Sequence, residues 1–193
     1  MAKAKIFNAT LKNGKQTTFN SGEKITVKGQ VEYCHITSPL SSDEIRKENS
    51  RRAVMNQDGA NCFFEDVNRP YSTIRIVNPI VVTKNRGKPT TGEQFVKSRF
   101  YTSKQNPRVS RTVFKNLTSN LPNTFSLTNN PITGMTETNK IFLRDEIAKG
   151  EDVLIDVRVY ETKSGYVGLT LDSVTCYGSP KYITRKNRGG MAS

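Results

Sequence analysis

The chain has 193 residues, enough for one sizeable domain with its own core or a smaller one carrying long loops. Thirty Lys and Arg against 17 Asp and Glu leave a net charge of +13, which favours a polyanionic partner, nucleic acid before membrane surface. Three separated cysteines with no C-x-x-C pair exclude a zinc ribbon and a dithiol redox motif, and no run approaches the ~18 apolar residues of a membrane span.

Without an apolar leader, the expected setting is a reducing cytoplasm rather than export. Residues 1–23 are polar and basic with Ile6, Phe7, Leu11 and Phe19 as anchors, and read as a basic N-terminal arm or a weak edge hairpin. From Lys24, Ile25, Val27, Gly29, Val31 and Tyr33 alternate with polar residues, the period of a half-buried strand, with Gly29 marking a bulge or bend. Ser38-Pro39 breaks that strand. Ser41 followed by Glu44 forms a capping box for a helix running to about Met55, with Asp43 and Glu44 in its first turn and Arg51 and Arg52 near its end. Its apolar stripe is thin, which predicts a surface helix inserted in a loop.

A short strand is expected at Asn61–Phe64, and a longer one over Tyr71–Thr83, where Pro79 argues for a bulge or an unpaired edge. Lys84 to Glu93 is turn-rich, and Gln94–Ser103 resumes extended character, so 71–103 reads as a long hairpin with a basic tip. Between 104 and 140, Val109, Val113, Phe114, Leu117 and Leu121 have spacings suited to a short helix. A helical turn is expected at Ile141–Ala148, followed by a hairpin of 152–161 and 166–177 joined by Thr162-Lys163-Ser164-Gly165. Residues 179–193, with Lys181, Arg185, Lys186 and Arg188 and no acid, read as a flexible basic tail.

The functional signal is concentrated. Nine Lys or Arg and one acid, Glu93, lie between Lys84 and Lys115, interleaved with Phe95, Phe100, Tyr101 and Phe114. Cations for phosphates and flat rings for unpaired bases are what a single-strand binder needs. Set against this, aromatic residues in a β-protein usually face the core, and Lys and Arg on a hairpin are often a solvated face. If 94–103 is a strand, Phe95, Lys97, Arg99 and Tyr101 share one face, which makes Tyr101 a better stacking candidate than Phe100. In the last hairpin, Arg158, Tyr160, Lys163 and Tyr166 surround the turn; the two tyrosines are either exposed beside it or a cross-strand pair.

Catalysis is not expected. His35 is the only histidine and reads as a strand-end residue, no phosphate-binding loop is present, and no cofactor or metal is implied. Asp145, Glu146, Glu151, Asp152, Asp156 and Asp172 are the pool a metal-dependent nuclease would draw on, but Asp156 and Asp172 sit opposite Arg158 and Lys163 and are better read as balancing charge.

The expected order is β-β-β-α-β-β, with a helix in the first connection, and is that of a mainly β, OB-fold-like five-stranded barrel over 24–178 with long basic loops. In residues 151–178 (EDVLIDVRVYETKSGYVGLTLDSVTCYG), and more loosely in 24–37 and 71–103, the chain resembles single-stranded DNA-binding OB-fold proteins of bacterial phages and conjugative plasmids. The resemblance implies a ligand crossing the second and third strands and gripped by hairpin loops. That places Arg75, Lys97, Arg99, Tyr101 and the turn around Lys163 at a groove, with Lys84, Arg86, Lys88, Arg158, Tyr160 and Tyr166 beside it. Bacterial housekeeping members end in an acidic tail, whereas this chain ends basic, which favours a role in replication, recombination or transfer of a mobile element. Competing readings are a protein-interaction module inhibiting a host nucleic-acid enzyme, and an RNA-binding protein; homo-oligomerisation stays open.

Overall fold

The computed structural model describes residues 5–11, 13–57, 64–118 and 120–184. Ten strands and two helices are present among them, in two sheets. Strands β1 (Lys5–Thr10) and β2 (Gln16–Ser21) form a separate antiparallel hairpin. It is not a loose arm, because Phe7, Ala9 and Phe19 are buried in the main core. The Phe19 ring stacks on Phe7 at 5.8 Å and meets the edge of Phe95 at 5.7 Å. Two backbone bonds tie this hairpin to the far end of the chain, Thr10 N–H to Gly165 O and Gly22 N–H to Val159 O.

The large sheet uses β3 (Lys24–His35), β4 (Ser72–Val82), β5 (Tyr101–Thr102), β6 (Ser110–Asn116), β7 (Asn123–Asn129), β8 (Thr136–Lys140), β9 (Asp152–Glu161) and β10 (Val167–Tyr177). Their order is β5-β6-β4-β3-β9-β10-β7-β8. The sheet is therefore larger than the expected five strands. Asn116 Nδ2, at the end of β6, donates to Leu171 O on β10 at 2.9 Å, so these two strands, four places apart in the order, approach each other. The core is built by period-two alternation: Ile25, Val27 and Val31 of β3, Ile74 and Ile76 of β4, and Val153, Ile155, Val157 and Val159 of β9 are all buried.

Two irregularities shape β3 and β4. Asn78 and Pro79 together oppose Gly29, with Asn78 at φ 52°, so the bulge expected at Gly29 and Pro79 is present. A side chain at Gly29 would start 2.7 Å from Ile76 Cδ1, which is why glycine stands there. The second bulge inserts Glu32 between the pairs Val31–Ile76 and Tyr33–Arg75.

Helix α1 (Ser42–Gln57) connects β3 to β4 and has the expected capping box: Glu44 N–H donates to Ser41 Oγ at 3.2 Å and Ser41 N–H to Glu44 Oε1 at 3.0 Å. The helix runs two residues past Met55, so Arg51 and Arg52 lie in its interior and its last turn carries no base. Ile45 alone is buried, in a small second cluster with Leu40 and Tyr71.

Three expectations fail for local reasons. Residues 94–103 are not a returning strand: Thr91–Ser98 is helix α2, started by a second capping box in which Glu93 N–H donates to Thr90 Oγ1 and Thr90 N–H to Glu93 Oε1. The helix buries Val96 and packs Phe95 on the core, a helical rather than alternating use of the apolar residues. Residues 104–140 hold strands β6, β7 and β8 instead of a helix, with Thr112 and Phe114 facing in and Arg111, Val113 and Lys115 facing out. Ile141–Ala148 is not helical, and Ile147 bridges Tyr182, so the folded part extends past residue 178. Of the strand expected at Asn61–Phe64, residues 61–63 lie outside the described residues, as do 185–193 of the expected tail. Among the described residues, no helix is long and apolar enough to cross a membrane.

Candidate nucleic-acid interface

The outer face of β3, β4, β6 and β5 gathers aromatic and cationic side chains in one row. Register sets it: Tyr33 opposes Arg75, Arg75 opposes Val113, and Tyr101 opposes Arg111, two residues along β6 from Val113. Residues directly or diagonally opposed across strands share a face and touch. Tyr33 and Tyr101 lie three strand spacings apart across the sheet, about 14 Å, and two residues apart along it. Tyr33 reaches this face because of the bulge at Glu32, where two residues of β3 oppose one of β4.

Between the tyrosines lies an ionic triad. Glu32 Oε1 is 2.8 Å from Arg75 Nε, and Glu32 Oε2 accepts from Arg111 Nε at 2.9 Å. The Arg75 contact is an ion pair whose N–H is not aligned for a hydrogen bond. Burial raises the Glu32 carboxyl, but the bond from Arg111 and the charges of Arg75 and Arg111 outweigh it and hold it below the usual carboxylate range. The Arg75 guanidinium sits 5.6 Å from the Tyr33 ring centre, a cation–π distance. Burial pushes the Tyr33 phenol up to about 12, with Glu48 and Glu44 adding to the shift. Tyr101 is 40% exposed, and its phenol is raised, first by burial.

Further along the same face, Lys115 bonds Glu65 and stands 5.4 Å from the Tyr71 ring centre. Arg52 of α1 lies 3.7 Å from Glu65 and donates to Tyr71 Oη at 3.5 Å. Burial lowers the Lys115 amine despite its bond to Glu65. The face thus carries four cations, Arg52, Arg75, Arg111 and Lys115, around Glu32 and Glu65, with Glu44 and Glu48 of α1 close to Tyr33.

The expected site residues fall into separate groups. Arg75 and Tyr101 lie in the row just described. Arg99 caps α2 with its guanidinium 6.0 Å from the Phe95 ring centre, and Lys97 is exposed on that helix, so neither shares a strand face with Tyr101. Lys84, Arg86 and Lys88 are exposed on the loop after β4, and Lys84 Nζ is 3.8 Å from Glu23. Arg158 pairs with Asp172 at 3.2 Å and donates to Gly22 O at 3.3 Å. Tyr160 lies against Gly168, its cross-strand partner, so it does not pair with Tyr166. Lys163 and Tyr166 are exposed at the turn. Because Lys24 pairs with Arg158 and Thr26 with Val82, the Lys84 loop and the Lys163 turn belong to the Lys24 end of β3, while the tyrosine row belongs to its His35 end.

Sequence reasoning missed Tyr33, Glu32, Arg52, Glu65 and Tyr71, and noted Arg111 and Lys115 only as part of a cation run. Alternation of Arg111, Val113 and Lys115 against Thr112 and Phe114 was the available signal for β6. Of the carboxylates named as a nuclease pool, Glu146 and Asp156 are held by structural hydrogen bonds and Asp172 by Arg158. Glu146 accepts from Ile36 N–H at 2.6 Å and Thr37 N–H at 3.1 Å, and Asp156 accepts from Thr26 Oγ1 at 2.6 Å and Ser173 Oγ at 3.1 Å. Among the described residues no three His, Cys, Asp or Glu side chains are grouped to hold a metal ion. His35 ties the end of β3 to α1, with Nδ1 2.7 Å from Ser38 O and Nε2 2.9 Å from Glu44 Oε2. Cys34 and Cys176 are buried with their thiols raised, Cys176 to about 11.

No protein-family model matches this chain, and no curated protein does. Among solved structures it is similar to the single-stranded DNA-binding protein from bacteriophage Enc34, at 13% identity over 96% of this chain and 95% of that one, with a TM-score of 0.39.

Proposed function

We propose that the protein binds single-stranded DNA on the outer face of β3, β4, β6 and β5, without catalysis. The observation that carries this reading is the alignment of Tyr33 and Tyr101 on one sheet face with Arg75 and Arg111 between them. Cations neutralise the backbone phosphates, while ring faces accept unpaired bases whatever their identity. A duplex hides those base faces within its own stack, so the same surface offers it charge alone. The strand order β6-β4-β3-β9-β10, with β6 and β10 approaching through Asn116, supports an OB-type barrel as the core of this sheet. In that fold the second and third strands, here β4 and β6, form the oligonucleotide face.

Fluorescence anisotropy with labelled single-stranded DNA, duplex DNA and single-stranded RNA, at low and moderate salt, tests the reading. Tight, salt-sensitive binding that prefers single-stranded DNA supports it. Equal binding to every polyanion reduces the surface to nonspecific charge, and a preference for RNA assigns the face to a different polymer.

A further inference from the structure

Glu32 holds both arginines of the central triad, Arg111 through its Nε–H and Arg75 through an ion pair whose N–H is not aligned for a hydrogen bond. Arg111 gives its Nε–H to both carboxylate oxygens, at 2.9 and 3.2 Å, and Arg75 brings its own Nε to 2.8 Å. What remains of each guanidinium is the pair of terminal Nη nitrogens. Arg111 uses Nη1 only weakly, toward Val109 O at 3.5 Å, and the Arg75 guanidinium stands 5.6 Å from the Tyr33 ring centre. The side chains of Glu32, Arg75 and Arg111 are 17, 22 and 18% exposed, so the group is held in the sheet surface yet reachable from solvent. Its rigidity has a source: Glu32 is the inserted residue of a bulge on a central strand, not a loop side chain.

We propose that Glu32 is a positioning residue that bonds Arg111 at its Nε edge, holds Arg75 by an ion pair and so builds a two-arginine phosphate site between Tyr33 and Tyr101. The inference rests on the single-strand reading above and assigns the phosphate contact within it. An arginine held by one edge keeps a fork of N–H donors matched to two phosphate oxygens, with little rotamer entropy left to lose on binding. Without Glu32 the two guanidinium groups, diagonal neighbours across β4 and β6, would repel and swing apart.

The sign of the effect makes the idea testable. Glu32 is a negative charge in a surface that binds a polyanion, so simple Coulomb repulsion predicts that removing it tightens binding. Positioning predicts the reverse. Anisotropy titrations of single-stranded DNA against wild type, Glu32→Ala and Glu32→Gln are expected to show weakening of about fivefold or more for the alanine variant, with glutamine intermediate because one oxygen still accepts. The salt slope of the alanine variant should shrink by about 0.7, the signature of one lost phosphate contact. In an Arg75→Ala/Arg111→Ala background, adding Glu32→Ala should weaken binding no further.

Unchanged or tighter binding by Glu32→Ala, with an unchanged slope, overturns the proposal and makes Glu32 a competitor or a bystander. If the alanine variant does not fold, as judged by circular dichroism, the glutamine variant decides on the same criteria. Failure of the wild type to bind single-stranded DNA sinks the broader reading, whereas tight wild-type binding with an indifferent Glu32 sinks only this inference.

Discussion

Tyr101 and Glu32 carry the sharpest consequences of single side chains. Tyr101 leaves two-fifths of its surface to solvent opposite Arg111, the exposure its proposed stacking role requires. Replacing it with Ala should cost about 1–3 kcal/mol of single-strand affinity, roughly 5- to 150-fold, with the salt slope unchanged because no phosphate contact is lost. Anisotropy at three salt concentrations checks both halves, and unaltered affinity would remove Tyr101 from the interface. Glu32 and Glu44 have carboxyls held below their usual range, Glu32 by Arg111 and Arg75, Glu44 by the Ser41 N–H and His35, in each case against the opposing effect of burial. A depressed carboxyl stabilises the fold fully above its unfolded value near 4.3, and that contribution is lost as pH falls through the lower folded value. Urea midpoints measured from pH 7 down to pH 3 should therefore fall most steeply below about pH 4.3, and less steeply in Glu32→Gln. An identical acid profile in the variant would show that ionisation of Glu32 contributes nothing to the pH dependence of stability.

Elements that looked marginal in sequence turn out to be structural. The β1–β2 hairpin has few apolar residues, yet Phe19 is only 2% exposed and touches both Phe7 and Phe95. Phe19→Ala should lower the unfolding free energy by about 3–5 kcal/mol, as a buried phenylalanine does when it leaves a cavity. A loss below ~1 kcal/mol, the scale of an ordinary substitution, would return residues 1–23 to the status of an arm. Helix α2 depends on its start in a similar way. Thr90 Oγ1 accepts from Glu93 N–H and donates to Glu23 Oε2 at 2.6 Å, linking the helix cap to the turn before β3. Thr90→Ala should cost about 1 kcal/mol, read as a shift in urea midpoint, without changing DNA affinity.

Across the whole molecule, the cations of the candidate face and of the expected loop sites lie at opposite ends of β3. Four of them, Arg52, Arg75, Arg111 and Lys115, surround the tyrosine face, and if these alone meet phosphates the slope of log affinity against log salt should be about −3. The exposed Lys84, Arg86, Lys88 and Lys163 at the other end would steepen that slope only if a longer strand also crosses them. Oligonucleotides of increasing length separate the cases: a slope that grows with length means both ends are engaged, and one that stays constant confines the site to the His35 end.

Local patterns in the chain were sufficient for β3, for the β9–β10 hairpin and for α1, because alternation, turn residues and a capping box are all contained within a dozen residues. They singled out Arg75 and Tyr101, which share one sheet face, together with Lys97 and Arg99, which do not. A second capping box, Thr90 to Glu93, was equally local and lay hidden behind an apparent alternation of apolar residues. What no local pattern holds is the pairing of distant strands. Glu32 and Arg111 are 79 residues apart and meet only because β4 lies between their strands. The one-residue bulge that aligns Tyr33 with Arg75 is defined by the register of two strands, not by the composition of either. Composition determined that the protein would carry cations and rings; the tertiary register decided which of them share a face, because a shift of one residue in a strand moves a side chain to the other side of the sheet.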